Sequence, residues 1–306
     1  MKVFRSFTEA RGIKNPVVTT GSFDGVHVGH KTILNRLKTL AAIHNGESVL
    51  ITFDPHPRKV LYPDTAGKDL KLIMSQQEKL ELLDEAGLDN LIIIEFTKEF
   101  AKTTSEEFVR DLLIGILKAK VIVAGFNHHF GFNKEGDYRH LWDWQPKYDF
   151  IAEEIPEQEV ENETVSSTKI RRAISEGYIQ RANAYLDHYY IVIGKTLKFS
   201  CDICRELPSF FNIDFQDESK LLPSPGIYAV TAETGNISSK AMGIVLKGSD
   251  NKSLLVADIF EQLPFGNDKR IRLSFHKKVQ GAVNLNEQSN VQRILSARNE
   301  ISELIY

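Results

Sequence analysis

This chain predicts an α/β architecture: a doubly wound parallel sheet, then a small antiparallel β domain and a closing helix. Three observations carry the prediction. In the first half, short β-rich runs alternate with segments of helical periodicity, the pattern of a parallel sheet covered by helices. After about residue 187 strand-like runs follow one another, separated by turn-forming clusters. The stretch Ser289 to Leu304 reads as a final helix.

The elements follow in order. Pro16 to Thr20 is a β-rich run ending at Gly21, and Ile33, Leu34, Leu37, Leu40 and Ala41 then recur at helical spacing. Ser48 to Phe53 is a second strand. Ser75-x-x-Glu78 is a capping box opening a helix through Leu80, Leu83 and Ala86. Leu91 to Phe96 is a third strand, and Thr104-x-x-Glu107 caps a helix carrying Phe108, Leu112, Leu113 and Ile116. Val121 to Ala124 and Phe150 to Ala152 complete the sheet. In the second half, Tyr189–Thr196, Ile227–Ala232, Ala241–Leu246, Leu254–Phe260 and Ile271–Phe275 are strands of a small antiparallel barrel or sandwich. The domains expected are residues 1–186 and 187–306.

The 306 residues are 42% hydrophobic and 26% charged, with a net charge of -3. That suits a globular protein, and the absence of a basic stripe argues against nucleic acid as a partner. The first residues lack a signal-peptide core, and no run is long and apolar enough to span a membrane. Two cysteines, Cys201 and Cys204, form no disulfide framework and are expected to be reduced in the cytosol. The sequence carries no signal for oligomeric state.

Four loops fall where ligands gather in such sheets, beyond the C-terminal ends of strands. The first is Gly21-Ser22-Phe23-Asp24-Gly25-Val26-His27-Val28-Gly29-His30, between a strand and a helix start. Unsatisfied N–H groups and the helix dipole make that junction a seat for phosphate. His27 and His30 share one helical face, and Gly29 leaves room for a ligand against the backbone. The second is Thr52 to Arg58, shaped by Pro55 and Pro57 and presenting His56 and Arg58. The third, Gly125-Phe126-Asn127-His128-His129-Phe130-Gly131-Phe132, mixes polar groups with aromatics that suit a flat ring and a metal-bound phosphate. The His128–His129 pair also suggests zinc, but adjacent residues rarely converge on one ion. The fourth is Val165 to Arg172, where hydroxyls cap a helix and Arg171 lies one turn beyond Thr168, placed to grip an anion. Taken singly, each loop also fits an ordinary surface turn; the four together favour a nucleotide-using enzyme.

The first loop carries the H-x-G-H signature of nucleotidylyltransferases. In its fuller form, F-D-G-V-H-x-G-H, it resembles bacterial FAD synthetase, the N-terminal module of bifunctional riboflavin kinase/FAD synthetases. The other three loops match that module's motifs in order, over about residues 15 to 186. The resemblance implies a Rossmann-like nucleotidylyltransferase sheet and the conversion of FMN and MgATP to FAD and pyrophosphate. It implies catalytic roles for His27, His30 and Arg171. It implies nucleotide contacts from Gly21, Phe23, Asp24, Gly29, Ser167 and Thr168. Pro55, His56, Pro57, Arg58, Asn127 and Phe130 are implied on the flavin side, with Asn127 also near Mg²⁺.

In the same family the second module is a riboflavin kinase barrel. Parts of its frame are present, at Tyr190–Gly194, Pro225–Val230 and Lys269–Phe275. Its P-T-A-N loop is not found in Lys198 to Pro208, and its glutamate base falls near Leu254, with Asp258 and Glu261 the nearest acids. A hydroxyl nucleophile needs a base within reach, so a kinase-like barrel with little kinase activity is expected. The readings left open are a fully bifunctional enzyme, adenylyl transfer to another acceptor, and a flavin- or nucleotide-binding regulator.

Overall fold

The computed structural model describes all residues except 127, 157–158, 161–162, 201–209, 249–252, 262–266 and 305–306. The chain divides into two compact units: Met1–Leu70 with Lys79–Val165, and Lys71–Glu78 with Ser166–Tyr306.

The first unit is a six-stranded sheet made of β1 (Lys2–Phe4), β2 (Val17–Thr20), β3 (Ser48–Asp54), β4 (Asn90–Glu95), β5 (Val121–Gly125) and β6 (Ile151–Ile155). Its order is β1-β4-β3-β2-β5-β6, and every pairing is parallel. The central strands are buried on both faces because helices cover both, as the all-buried residues of β2 show. Chain order runs outward one way from β2 through β3 and β4, then jumps to β5 on the other side. That reversal is the topological switch point where such sheets bind ligands. α1 (Val28–Ile43) buries Leu34, Leu37, Leu40 and Ala41, as its periodicity requires.

Several features of this unit differ from the sequence reading. β1 is a strand, although its three residues form no recognisable run. α5 (Tyr138–Tyr148) is a helix in spite of Pro146, started by the Asp137 side chain on the His140 N–H at 3.1 Å. The helix begun by the Thr104–Glu107 capping box is α-helical only over α4 (Ser105–Glu107) and continues as a π-helix, Phe108–Ile116. The wider turn brings Phe108 and Leu113, five apart, into the same core with Val109.

The second unit is a closed antiparallel barrel, so the barrel rather than the sandwich holds. Beyond the small hairpin β7 (Glu159–Val160) and β8 (Glu163–Thr164) of the first unit, its strands are β9 (Tyr190–Lys198), β10 (Phe210–Asp214), β11 (Gly226–Thr234), β12 (Ile237–Lys247), β13 (Ser253–Ile259) and β14 (Arg270–Gln280). They close in the order β10-β13-β12-β11-β14-β9. β10 has no counterpart in the sequence reading. α6 (Ser167–Glu176), α7 (Ile179–Leu186) and α8 (Val291–Glu303) belong to this unit. α8 lays Val291, Ile294, Ala297 and Ile301 onto Ile227, Ala229, Met242 and Ile244.

Lys71–Glu78 also belongs to this unit and ends in the first turn of α3 (Gln76–Glu85). The Ser75–Glu78 capping box forms, with Ser75 N donating to Glu78 Oε2 at 2.8 Å. The same carboxylate meets Lys220 Nζ at 2.6 Å, both side chains fully buried. Lys220 also donates to the carbonyls of Ile73 and Ile191, each at 2.7 Å, and Ile193 N donates to Glu78 Oε1 at 2.9 Å. A buried ion pair is tolerated when its remaining hydrogen-bonding capacity is filled in this way.

Candidate active site

Three loops of the first unit leave the C-terminal ends of β2, β3 and β5. The loop after β2 is held tightly. Gly21 N donates to the Ile51 carbonyl at 3.0 Å, and Phe23, Gly25 and Val26 take φ of +46°, +102° and +40°. Left-handed backbone at Phe and Val is strained, and persists only where the surroundings impose it. They do so by burial: Phe23, Asp24 and Val26 are each 2% exposed or less.

This turn delivers His27 to the N-cap of α1 and His30 to its first turn. The His27 side chain makes no capping hydrogen bond to the helix, and a helix start is a favourable place for an anion. The two imidazoles stack with centroids 3.7 Å apart and planes at 17°, and Phe23 stacks on the other face of His30 at 4.3 Å. Gly21 suits the same packing, since a Cβ there would lie a tight 3.1 Å from the Phe23 ring. Gly29 sits inside the first turn of α1. His30 is held neutral: burial lowers its pKa well below the usual histidine value, and the charges of His27 and Lys79 lower it further.

Lys79, on α3, is the residue the sequence reading missed. It is 7% exposed, and its Nζ donates to the Ser22 carbonyl at 2.8 Å, which also accepts from Thr52 Oγ1 at 3.3 Å. Burial lowers its pKa, while the carboxylates of Asp24 and Asp54 act in the opposite sense. The detectable signal is a lysine in the buried stripe of an amphipathic helix, in register with Leu82 and Leu83.

The loop after β3 turns at a cis Asp54–Pro55 bond. His56 caps the short α2 (Pro57–Leu61), its Nδ1 accepting from Arg58 N at 3.2 Å; Arg58 itself is exposed. The loop after β5 places His128 Nε2 3.0 Å from Thr20 Oγ1, against the strand that feeds the histidine loop. Burial, with the charge of His129, takes His128 down to about 4. Phe130 is tied back to Gly136 by a two-way backbone bridge. It continues a row of rings, Phe96, Phe53, Phe100, Phe108 and Phe130, with successive centroids 5.4 to 6.3 Å apart. A cavity of 530 Å³ adjoins the row, walled in part by Phe7, Ile94, Phe100 and Leu112.

The structure therefore brings His27, His30 and Phe23 into contact, over Asp24 and Lys79, and sets Thr20 against His128. Ser167, Thr168 and Arg171 belong to the second unit. There Ser166 Oγ caps α6 through Lys169 N at 3.4 Å, and Gly177, at φ +84°, ends it, as the sequence implies. Asn127, with its expected flavin and metal contacts, lies outside the described residues, as do Cys201 and Cys204. Among the described residues no group of three or more His, Cys, Asp or Glu could hold a metal ion, and no helix is long and apolar enough to cross a membrane.

A family model described as FAD synthetase matches residues 10–169. The bifunctional riboflavin kinase/FMN adenylyltransferase of Listeria monocytogenes is 31% identical over 217 residues, 71% of this chain and 67% of that one. An FAD synthetase of the same organism is 37% identical over 180 residues, covering 58% of this chain and 71% of its own. The bifunctional enzyme of Escherichia coli K12 is 28% identical over 214 residues, 70% of this chain and 67% of that one. A crystal structure described as a macrolide-efflux protein from Streptococcus pneumoniae covers 100% of both chains with a TM-score of 0.87; at 24% identity the likeness shows the fold alone.

Proposed function

The chain belongs to the FAD synthetase family, and we propose on that basis that it transfers the adenylyl group of ATP to FMN, forming FAD and releasing pyrophosphate. The observation that carries the reading is the stacked His27–His30 pair at the start of α1, beyond the switch point of the sheet. An FMN phosphate oxygen attacks the α-phosphorus of ATP in line. The bond from that phosphorus to the bridging oxygen breaks, and its electrons leave with pyrophosphate. Little covalent work falls to the protein in such a step; positioning and charge neutralisation dominate.

The imidazole N–H groups and the first amides of α1 suit the charge that develops on the phosphate oxygens. Ser167, Thr168 and Arg171 are assigned to the leaving pyrophosphate. The flavin side is assigned to Pro55, His56, Pro57, Arg58, Asn127 and Phe130, and the row of phenylalanines supplies apolar wall for a tricyclic ring. Mg²⁺ enters with ATP as part of the substrate, taking most of its ligands from phosphate and water. A cytosolic setting suits these substrates.

The functional boundary is placed at 186/187, with a barrel of little kinase activity beyond it. Leu254 stands where the base is expected. Asp258 is 1% exposed and bound to Arg298 Nε at 2.7 Å, and Glu261 is exposed at the end of β13. Two incubations test the reading. FMN with MgATP forms FAD, and riboflavin with MgATP forms no FMN. Absence of FAD in the first overturns the adenylyltransferase assignment, and clear FMN in the second restores the bifunctional one.

A further inference from the structure

The second unit holds a cavity of 670 Å³ between the α6–α7 turn and the end of β14. Its walls include Gly177, Tyr178, Arg181, Lys278, Val279 and Gly281. The volume lies within the range of small-molecule sites, roughly 300–1,000 Å³. Nothing in the adenylyl transfer uses it.

Lys278 is the informative wall residue. Its stem runs through a slot between two glycines. A Cβ at Gly177 would lie 3.0 Å from Lys278 Cδ and Nζ, and one at Gly226 would lie 2.7 Å from Cε. Gly177 has φ +84° and Gly226 +158°, so the backbone and the slot call for the same residue at both positions.

The ammonium donates one hydrogen bond, to Ser224 Oγ at 2.8 Å, and lies 5.8 Å from the Tyr228 ring centre. Among the described residues no carboxylate is paired with it. Glu176 also lines the cavity, but its carboxylate is bound to Arg172 Nε at 2.9 Å, and the Tyr228 hydroxyl donates to the Ser224 carbonyl at 2.5 Å. A half-buried cation without a counter-charge is costly, and desolvation lowers the Lys278 pKa accordingly. An anion entering the cavity would remove that cost. Arg181 lines the same cavity, oriented by its Nε donating to Tyr185 Oη at 2.7 Å. Tyr178 stands at the rim with 59% of its surface exposed, a free face for a ring to stack on.

We propose that this cavity binds a phosphomonoester carrying a flat ring, of mononucleotide size, with the phosphate on Lys278 and Arg181 and the ring against Tyr178. Such a site is separate from the adenylyl-transfer chemistry. A substrate-sized flavin phosphate and an adenosine phosphate both fit the class.

Calorimetric titration of the full chain with FMN, AMP and riboflavin tests the proposal, in the wild type and in Lys278→Met and Arg181→Ala variants. The expected result is a saturable site for FMN or AMP that each substitution weakens at least fivefold, and that riboflavin, lacking the phosphate, fills at least fivefold less tightly. The proposal concerns only the site that Lys278 and Arg181 control, so binding at the first unit, present or absent, does not affect the outcome. If neither phosphomonoester has a site that responds by that margin to either substitution, or riboflavin binds that site as tightly as FMN, the assignment is wrong. Arg181→Ala leaves the glycine slot intact and so decides the matter should Lys278→Met fail to fold.

Discussion

His27 and His30 lie face to face, their ring centres 3.7 Å apart, with Phe23 closing the stack on the far side of His30. The stack leaves neither ring free to turn alone, so under the proposed function both hold fixed nitrogen directions for a phosphate. Preorganised donors of this kind act mainly on the transition state.

Replacing either histidine with alanine should therefore lower kcat for FAD formation by about 10²- to 10³-fold, while KM for ATP changes only severalfold. Steady-state kinetics with labelled ATP measure both. Wild-type turnover in both variants would contradict the role assigned to the pair.

Lys79→Met removes the clamp on the Ser22 carbonyl and a positive charge beside His30. Turnover should fall roughly 10²-fold through misplacement of the histidine loop. The His30 pKa should rise toward the ordinary histidine value, as followed by NMR of the imidazole. Lys79→Arg, which keeps the charge, should leave His30 closer to its native titration. A His30 titration identical in all three proteins would show that Lys79 has no electrostatic role.

Acidification should weaken the fold. Burial depresses the pKa of His30, and that of His128 to about 4, so the unfolded chain binds more protons than the folded one. The stabilising contribution is complete above the unfolded value of about 6.5 and is lost as pH falls toward 4. For His128 alone the span corresponds to on the order of 3 kcal/mol. Urea midpoints at pH 7 and pH 4.5 should differ, and His128→Gln should flatten the slope. An unchanged slope in that variant would refute the assignment.

Lys220→Met leaves the Glu78 carboxylate buried without its cation, and the expected loss is about 3–5 kcal/mol in denaturant unfolding. Adding Glu78→Gln to that variant should recover part of the loss. Additive losses would mean the two side chains do not act as a pair.

Much of this was legible in the sequence because it depends on local rules. The capping boxes at Ser75 and Thr104 form as their spacing demands, and the β-branched runs at Val17, Ser48 and Val121 become buried parallel strands. The loops were visible through their prolines, glycines and histidines. What escaped depends on contacts distant in sequence. β1 is three residues that pair with β4, far along the chain. Lys79 stands in the apolar stripe of its helix, but its partner, the Ser22 carbonyl, is 57 residues away and shows only in the folded chain. The stack of Phe23 on His30 requires positive φ at a phenylalanine, which no composition rule anticipates.

The barrel and the sheet differ in how they end. Among the described residues every barrel strand has two neighbours, so that sheet closes on itself without a border strand. The sheet stops at β1 and β6, and Val3 on the three-residue β1 is 42% exposed. Fraying of that short border strand would uncover β4, whose Leu91 to Ile94 are all buried. Self-association on heating should begin there, and a charged residue at Val3 should delay it.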